Sequence, residues 1–198
     1  MTPYDLPMGR TYASIDNRLA SFLVSQPVFF VASAPLSGDG LVNCSPKSNN
    51  GELAVLDPYR VAYLDRTGSG VETIAHLREN GRIVLMFCAF EGNPRIVRIH
   101  GRGLVVGRDE AAFDELSGRF PTNQHAGSRS IIVVSADRVS DSCGFGVPLM
   151  GFKAHRTELA ESAGRKGVVG IREYWRSNNT TSLDGLPGLQ DLEPGRAE

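Results

Sequence analysis

Arg82-Ile83-Val84-Leu85-Met86-Phe87-Cys88-Ala89-Phe90-Glu91-Gly92-Asn93-Pro94-Arg95-Ile96-Val97-Arg98-Ile99-His100-Gly101-Arg102 is the stretch on which the fold turns. An apolar run of strand length, residues 82–90, reaches the Gly92-Asn93-Pro94 turn signal, and a second run rich in Val and Ile, residues 95–106, leaves it. Two β-rich runs joined by so short a turn pair antiparallel, because a parallel partner needs a much longer crossover. The first run has no polar alternation and reads as buried on both faces. The second is studded with Arg95, Arg98, His100 and Arg102, and its Gly101 and Gly103 mark a bulge or a sharp coil.

Upstream of this hairpin, Arg60 to Asp65 forms another strand. The loop Arg66-Thr67-Gly68-Ser69-Gly70 follows, then a helix from Val71 to Glu79 that Asn80-Gly81 stops. Ile74 and Leu77 give that helix a narrow core face, and His76 pairs with Glu72 on its surface. Residues 28–34 and 41–47 flank Pro35 and the Ser37-Gly38-Asp39-Gly40 turn and make a hairpin. Pro46 cannot donate to a ladder, so the second arm ends or bulges there. Ile15, Leu19, Phe22 and Leu23 share one face of a helix with Ser14 as its N-cap.

Downstream, residues 109–118 form a short helix, Ser130 to Val139 a last strand, and the chain from Lys153 onward polar helices and a Gly/Pro-containing tail, Leu183 to Glu198. Six strands with short turns and few intervening helices exclude a doubly wound parallel fold and predict a small, mostly antiparallel barrel with helices outside.

A length of 198 residues sets one domain, with the barrel in residues 1–150 and residues 151–198 as its helical extension. The 22 glycines and 11 prolines supply the many turns such a fold needs. With 21 basic against 22 acidic residues the net charge is −1, which offers no field for nucleic acid or an anionic membrane. No run is apolar enough to span a bilayer, and the N-terminus lacks a secretory pattern, so a cytoplasmic protein is expected. The 3 cysteines form no C-x-x-C pair and the 4 histidines are dispersed, which leaves a disulfide framework or a metal site without an anchor. There is no G-x-S-x-G elbow.

The candidate site is the loop from Arg66 to Gly70. Its glycines let backbone N–H groups turn toward an anion, the following helix adds its N-terminal dipole, and Thr67, Ser69 and Thr73 add hydroxyls, with Arg66 or Lys47 supplying charge. A flexible surface loop capping a helix is the other reading. Lys47 is a solvated strand end unless its rim faces that loop. Arg95 and Arg98, three apart on a strand, point to opposite sides: one toward a site, or both as edge charges. Cys44 and Cys88 read as inert core residues, and His100 as a half-buried histidine.

Taken in order, Gln26-Pro27-Val28-Phe29-Phe30-Val31-Ala32, Gly40-Leu41-Val42-Asn43-Cys44-Ser45-Pro46-Lys47, Val61-Ala62-Tyr63-Leu64-Asp65, the run from Gly68 to Leu77, Asn80-Gly81-Arg82-Ile83, Arg95 to Gly103 and Val139 to Val147 resemble the pyridoxamine 5′-phosphate oxidase-like family of FMN-binding split β-barrels. The resemblance covers about residues 20–150. The Thr181 to Gly188 segment is similar to endings in an uncharacterised bacterial branch of that family.

This resemblance implies a six-stranded antiparallel split β-barrel and a homodimer with FMN sites across the subunit interface. It sets the strand that carries Asn43, Ser45 and Lys47 along the flavin, and Tyr63 beside it. The phosphate falls at Arg66, Thr67, Ser69, Gly70 and Thr73. Arg95, beside a flavin-facing glutamine of the oxidases, and Arg98 complete the implied set. The oxidases carry Ser-Arg-Lys at the helix start, where this chain has Val71, Glu72 and Thr73, and their substrate-phosphate residues find no match, so pyridoxamine phosphate is not the expected substrate. The resemblance implies an FMN-dependent oxidoreductase acting on a small molecule, with no catalytic residue or metal assigned. A flavin carrier and a deazaflavin-dependent reductase are the alternatives. Heme ranks last, with His100 or His155 as its ligand.

Overall fold

In a computed structural model, which describes residues 9–120 and 127–190, the chain runs β1 (Thr11–Tyr12), α1 (Asn17–Ser25), β2 (Val28–Ser33), β3 (Asn43–Ser48), β4 (Leu53–Asp57) and β5 (Arg60–Arg66). It continues through α2 (Glu72–Asn80), β6 (Arg82–Cys88), β7 (Ile96–Gly107), α3 (Ala111–Ser117), β8 (Ser128–Ser142) and α4 (Glu158–Asn178). All pairings are antiparallel, and the sheet order is β3-β2-β6-β7-β8-β5-β4, with β1 on β8. The two outermost strands, β3 and β4, follow each other in sequence. The sheet curls until its edges approach without a ladder between them, which is a split barrel. Eight strands are described rather than six. The four-residue apolar core of β4 was too short to read as a strand, and β1 is two residues held by the partner it meets.

The β6–β7 hairpin pairs as expected, Met86 against Arg98 and Leu85 against Ile99. The bulge falls between His100 and Gly101. A Cβ at Gly101 would overlap the carbonyl of Ser135, so the two backbones meet where only glycine fits. β6 is buried on one face only: Ile83, Leu85 and Phe87 point inward, while Val84 and Met86 are half-buried. Pro46 neither ends nor bulges β3, which pairs without a break from Val28↔Ser48 to Ser33↔Asn43. An edge strand tolerates the missing N–H.

Two cores result. Inside the barrel, Phe29, Val31, Tyr63, Leu85, Phe87, Val97, Ile99 and Ile132 meet Leu19 and Leu23 of α1, Ile74 of α2, and Ile171 and Trp175 of α4. Phe29 stacks on Phe87 at 5.4 Å and meets Tyr63 edge-on at 5.5 Å. On the outer face, α3 lays Phe113 over Ala62, Leu64, Val106 and Ile131. Alternation along β5 sends Val61 and Tyr63 to the first core and Ala62 and Leu64 to the second. The α1 cap is Asp16, which accepts from Leu19 N at 2.7 Å, and not Ser14. α2 buries Thr73, Ile74, Ala75, His76 and Leu77, a wider face than expected, because β2 and the C-terminal segment flank it on both sides. That segment packs rather than trails, with Leu189 in the barrel core; residues 191–198 lie outside the described residues. No helix among the described residues is long and apolar enough to cross a membrane.

Gly101→Ala should lower unfolding free energy by about 1–3 kcal/mol through the forced shift at the bulge. Gly146→Ala, where a Cβ meets open space, should cost far less. Denaturant midpoints of the two variants check this, and equal midpoints would contradict the close approach.

Candidate functional site

β5 delivers Asp65 to the seam between the sheet edges, and the carboxylate is fully buried there. A buried charge needs partners. Arg129 Nε of β8 donates to Asp65 Oδ2 at 2.7 Å, and Lys47 Nζ of β3 donates to Oδ1 at 2.9 Å. Burial pushes the carboxyl pKa up, but the charges of Arg129 and Lys47 outweigh it and hold the group at about 2. Two cations on one carboxylate leave one surplus positive charge at the seam. Arg129 also donates from Nη1 to the carbonyl of Gly70 at 2.8 Å, so the same cation fixes the loop.

Alternation along β3 puts Asn43, Ser45 and Lys47 on one face. Asn43 Nδ2 donates to Thr73 Oγ1 at 3.0 Å and to Ser33 Oγ at 3.4 Å. Tyr63 is fully buried, its ring 5.9 Å from Lys47 Nζ, and its hydroxyl finds no partner among the described residues. Burial, with the Asp65 charge nearby, raises its pKa and keeps the phenol protonated.

Around the loop, Arg66 pairs with Glu52 at 3.3 Å. The Thr67 hydroxyl donates to the carbonyl of Gly127 at 2.9 Å and accepts from Trp175 Nε1 at 2.8 Å. Ser69 is exposed at the loop tip, and the Glu72 carboxylate stands over Gly70. Lys47, Tyr63, the loop and Thr73 therefore come together around Asp65, with Thr67 and Thr73 engaged by bonds within the fold.

Arg95 and Arg98 are not brought to this cluster. Arg95 Nη2 donates to Tyr12 Oη at 2.6 Å and to Asp141 at 3.2 Å, its guanidinium over the Phe22 ring, while Arg98 donates to Ser142 at 3.0 Å. Asp141 and Arg129 sit near opposite ends of the 15-residue β8, which separates the two groups. Burial and the bond to Asp141 raise the pKa of Tyr12 despite Arg95. Arg95 pins β1 to the sheet.

Other expectations are corrected as well. His76 is not a surface residue but fully buried, with Nδ1 2.9 Å from Ser33 Oγ, and burial lowers its pKa despite nearby Asp184. His100 and Cys44 are exposed, because both fall on the outer face of the curled sheet. Arg129 is the residue the sequence reading missed. Its signal was Ser128-Arg129-Ser130 directly before an apolar run, a charge that has to find a buried partner.

On the outer face, a cavity of about 990 Å³ lies between β2, β3 and the 150–160 segment. Phe30, Pro46, Phe90 and Phe152 supply apolar walls, while Ser48, His155, Glu52 and Arg66 line it with polar groups. Arg66 therefore touches both the cavity and the loop. His155 Nδ1 is 3.0 Å from Ser48 Oγ.

Because the folded-state pKa of Asp65 is depressed, its ionised form contributes stability above the ordinary carboxylate range, lost as pH falls through about 2. In Lys47→Met one of the two depressing charges is gone, so acid unfolding followed by circular dichroism should move up by roughly half a pH unit or more. An unchanged acid midpoint would refute the coupling.

A sequence profile described as pyridoxamine 5′-phosphate oxidase matches residues 15–143. The chain is 37% identical over 203 residues to the pyridoxamine 5′-phosphate oxidase family protein ustO of Aspergillus flavus, covering 94% of this chain and 80% of that protein. Similar solved structures include HupZ of Group A Streptococcus, at 19% identity and a TM-score of 0.47 over 63% of this chain and 91% of that one. An FMN-binding protein from Syntrophomonas wolfei is another, at 15% identity and a TM-score of 0.48 over 64% of this chain and 88% of that one. The profile match spans most of the chain and the fungal relative nearly all of it: the protein belongs to the pyridoxamine 5′-phosphate oxidase family.

Proposed function

We propose that the protein is an FMN-dependent oxidoreductase that moves hydride between bound flavin and a small organic molecule. The observation that carries this reading is the seam itself: a surplus positive charge from Lys47 and Arg129, beside a glycine loop whose Gly70 carbonyl Arg129 has turned aside. The apolar cavity is within the size range of small-molecule sites and reaches the start of that loop at Arg66. FMN, when bound, supplies the hydride chemistry. The chain's residues would then hold and orient it. The loop amides and Lys47 receive the phosphate, Arg66 marks the junction, and Phe30, Pro46 and Phe152 exclude water from the ring. Asn43 and Ser45 share the inner face of β3 with Lys47, opposite the Pro46 wall of the cavity, and would flank the phosphate end of the site.

A deazaflavin is the second reading: its phosphodiester would set one charge rather than two beside the Glu72 carboxylate, while its longer acidic tail would call for cations such as Arg66 elsewhere along the site.

The visible absorbance of the purified protein and titration of its cofactor-free form with FMN and with a deazaflavin test both readings. Lys47→Ala leaves Arg129 on Asp65, so the fold should survive at neutral pH while FMN affinity falls by about tenfold. Glu72→Gln should raise FMN affinity. Indifference to FMN with tight deazaflavin binding would transfer the site to the second reading, and binding of neither would remove the function. Turnover with a reduced nicotinamide donor separates the enzyme from a flavin carrier.

We also propose that the protein is a homodimer that buries the outer face of β2, β3 and β6. There Phe30, Ala32, Val84 and Met86 are half-buried beside Phe29, Val31, Leu85 and Phe87 of the core, and Cys44 and Pro46 are exposed; Phe30 and Pro46 also wall the cavity, so the interface would border the proposed cofactor site. Sedimentation should give a dimer, and Met86→Lys a folded monomer; a monomeric wild type would exclude this interface.

A further inference from the structure

The C-terminal stretch closes over the loop from outside the region that the family profile matches. Trp175 Nε1 reaches Thr67 Oγ1, and Asn179 Nδ2 donates to the carbonyls of Gly68 at 3.0 Å and Ser69 at 3.5 Å. Both side chains come from buried residues. Beyond them the chain folds back on itself: Gly188 N bonds to Thr180 O at 2.8 Å and Leu189 N to Asn179 O at 2.7 Å. Gly188 rests so closely on Val71 that a Cβ would overlap it, and Arg78 of α2 donates to the Gly188 carbonyl. The clasp therefore holds both the loop and the start of α2.

This fixes which way the loop's dipoles point. In a planar trans peptide, the carbonyl of one residue and the N–H of the next point in opposite directions. The carbonyls of Gly68, Ser69 and Gly70 are drawn toward Asn179 and Arg129. The N–H groups of Ser69, Gly70 and Val71 consequently point away from those donors. N–H groups turned away from bonded carbonyls at the head of a helix are open to an anion.

We infer that Asn179 is a positioning residue of the cofactor site, setting the loop so that its backbone amides receive the phosphate, with Trp175 anchoring the Thr67 end of the same loop. The inference rests on the reading above that the phosphate sits at this loop. The helix starts Val71-Glu72-Thr73 with no cation, so oriented amides would supply positive potential there. Asn179 and Trp175 would act through the loop they bond.

The test compares FMN with riboflavin, which has the same ring and no phosphate. Wild-type protein should bind FMN more tightly than riboflavin. Asn179→Ala and Trp175→Phe should each cut that preference by about tenfold or more, with riboflavin affinity unchanged. A clasp that only stabilises the fold would weaken both ligands alike. Trp175→Phe removes the N–H and keeps a ring in the core, so it decides the matter if Asn179→Ala fails to fold. Variants that keep the full preference, or lose affinity for both ligands equally, overturn the inference and leave the loop as the phosphate site. A wild type that binds FMN and riboflavin alike, or neither, overturns the phosphate-site reading itself.

Discussion

A carboxylate with no access to water organises this molecule. Asp65 sits at the end of β5, where the sheet edges approach, and an isolated charge there would be prohibitively costly. Its two cations arrive from strands far apart in sequence, Lys47 on β3 and Arg129 on β8, so satisfying one side chain fixes the relation of the edge strand to the interior strands. Arg129 then spends a second donor on Gly70. The seam, the loop and the head of α2 are consequently one construction. Disturbing Arg129 changes all three.

That construction explains how the chain departs from the oxidases it resembles. Where those proteins offer Ser-Arg-Lys, this one has Val71, Glu72 and Thr73, and it has committed Thr67 and Thr73 to internal bonds. In the proposed phosphate site, positive potential would come from the surplus at Asp65 and from backbone dipoles. Dipoles act only if they are oriented, and orientation needs donors on the opposite side of each peptide. Arg129 and Asn179 are such donors, and the latter belongs to a C-terminal stretch that would be dispensable if the barrel alone made the site.

Much of the fold was legible because it rests on local pattern. Two apolar runs about the Gly92-Asn93-Pro94 turn can only pair antiparallel, Gly101 marks the bulge, and Asn80-Gly81 stops α2, with Gly81 at φ 71°. The errors fall where a partner distant in sequence decides. β4 is too short to announce itself and exists because β5 pairs with it. His76 follows Glu72 by one helical turn, as a surface pair would, yet α2 is covered on more than one side and the imidazole ends against Ser33. Pro46 punctuates nothing because its strand lies at the edge.

The site divides along the same line. The sequence by itself determined the residue types and the order strand, loop, helix at Asp65 to Thr73, since glycines, hydroxyls and a helix start are local features. Only the tertiary structure decided which charges meet them. Lys47 joined the loop because curling brings β3 to β5, whereas Arg95, equally plausible as a residue, was carried to the far end of β8 and spent on Tyr12 and Asp141. Arg129 and Asn179 are ordinary letters in the chain. They matter because a buried carboxylate requires a donor and part-buried loop carbonyls are fixed by one, and the fold delivers those two.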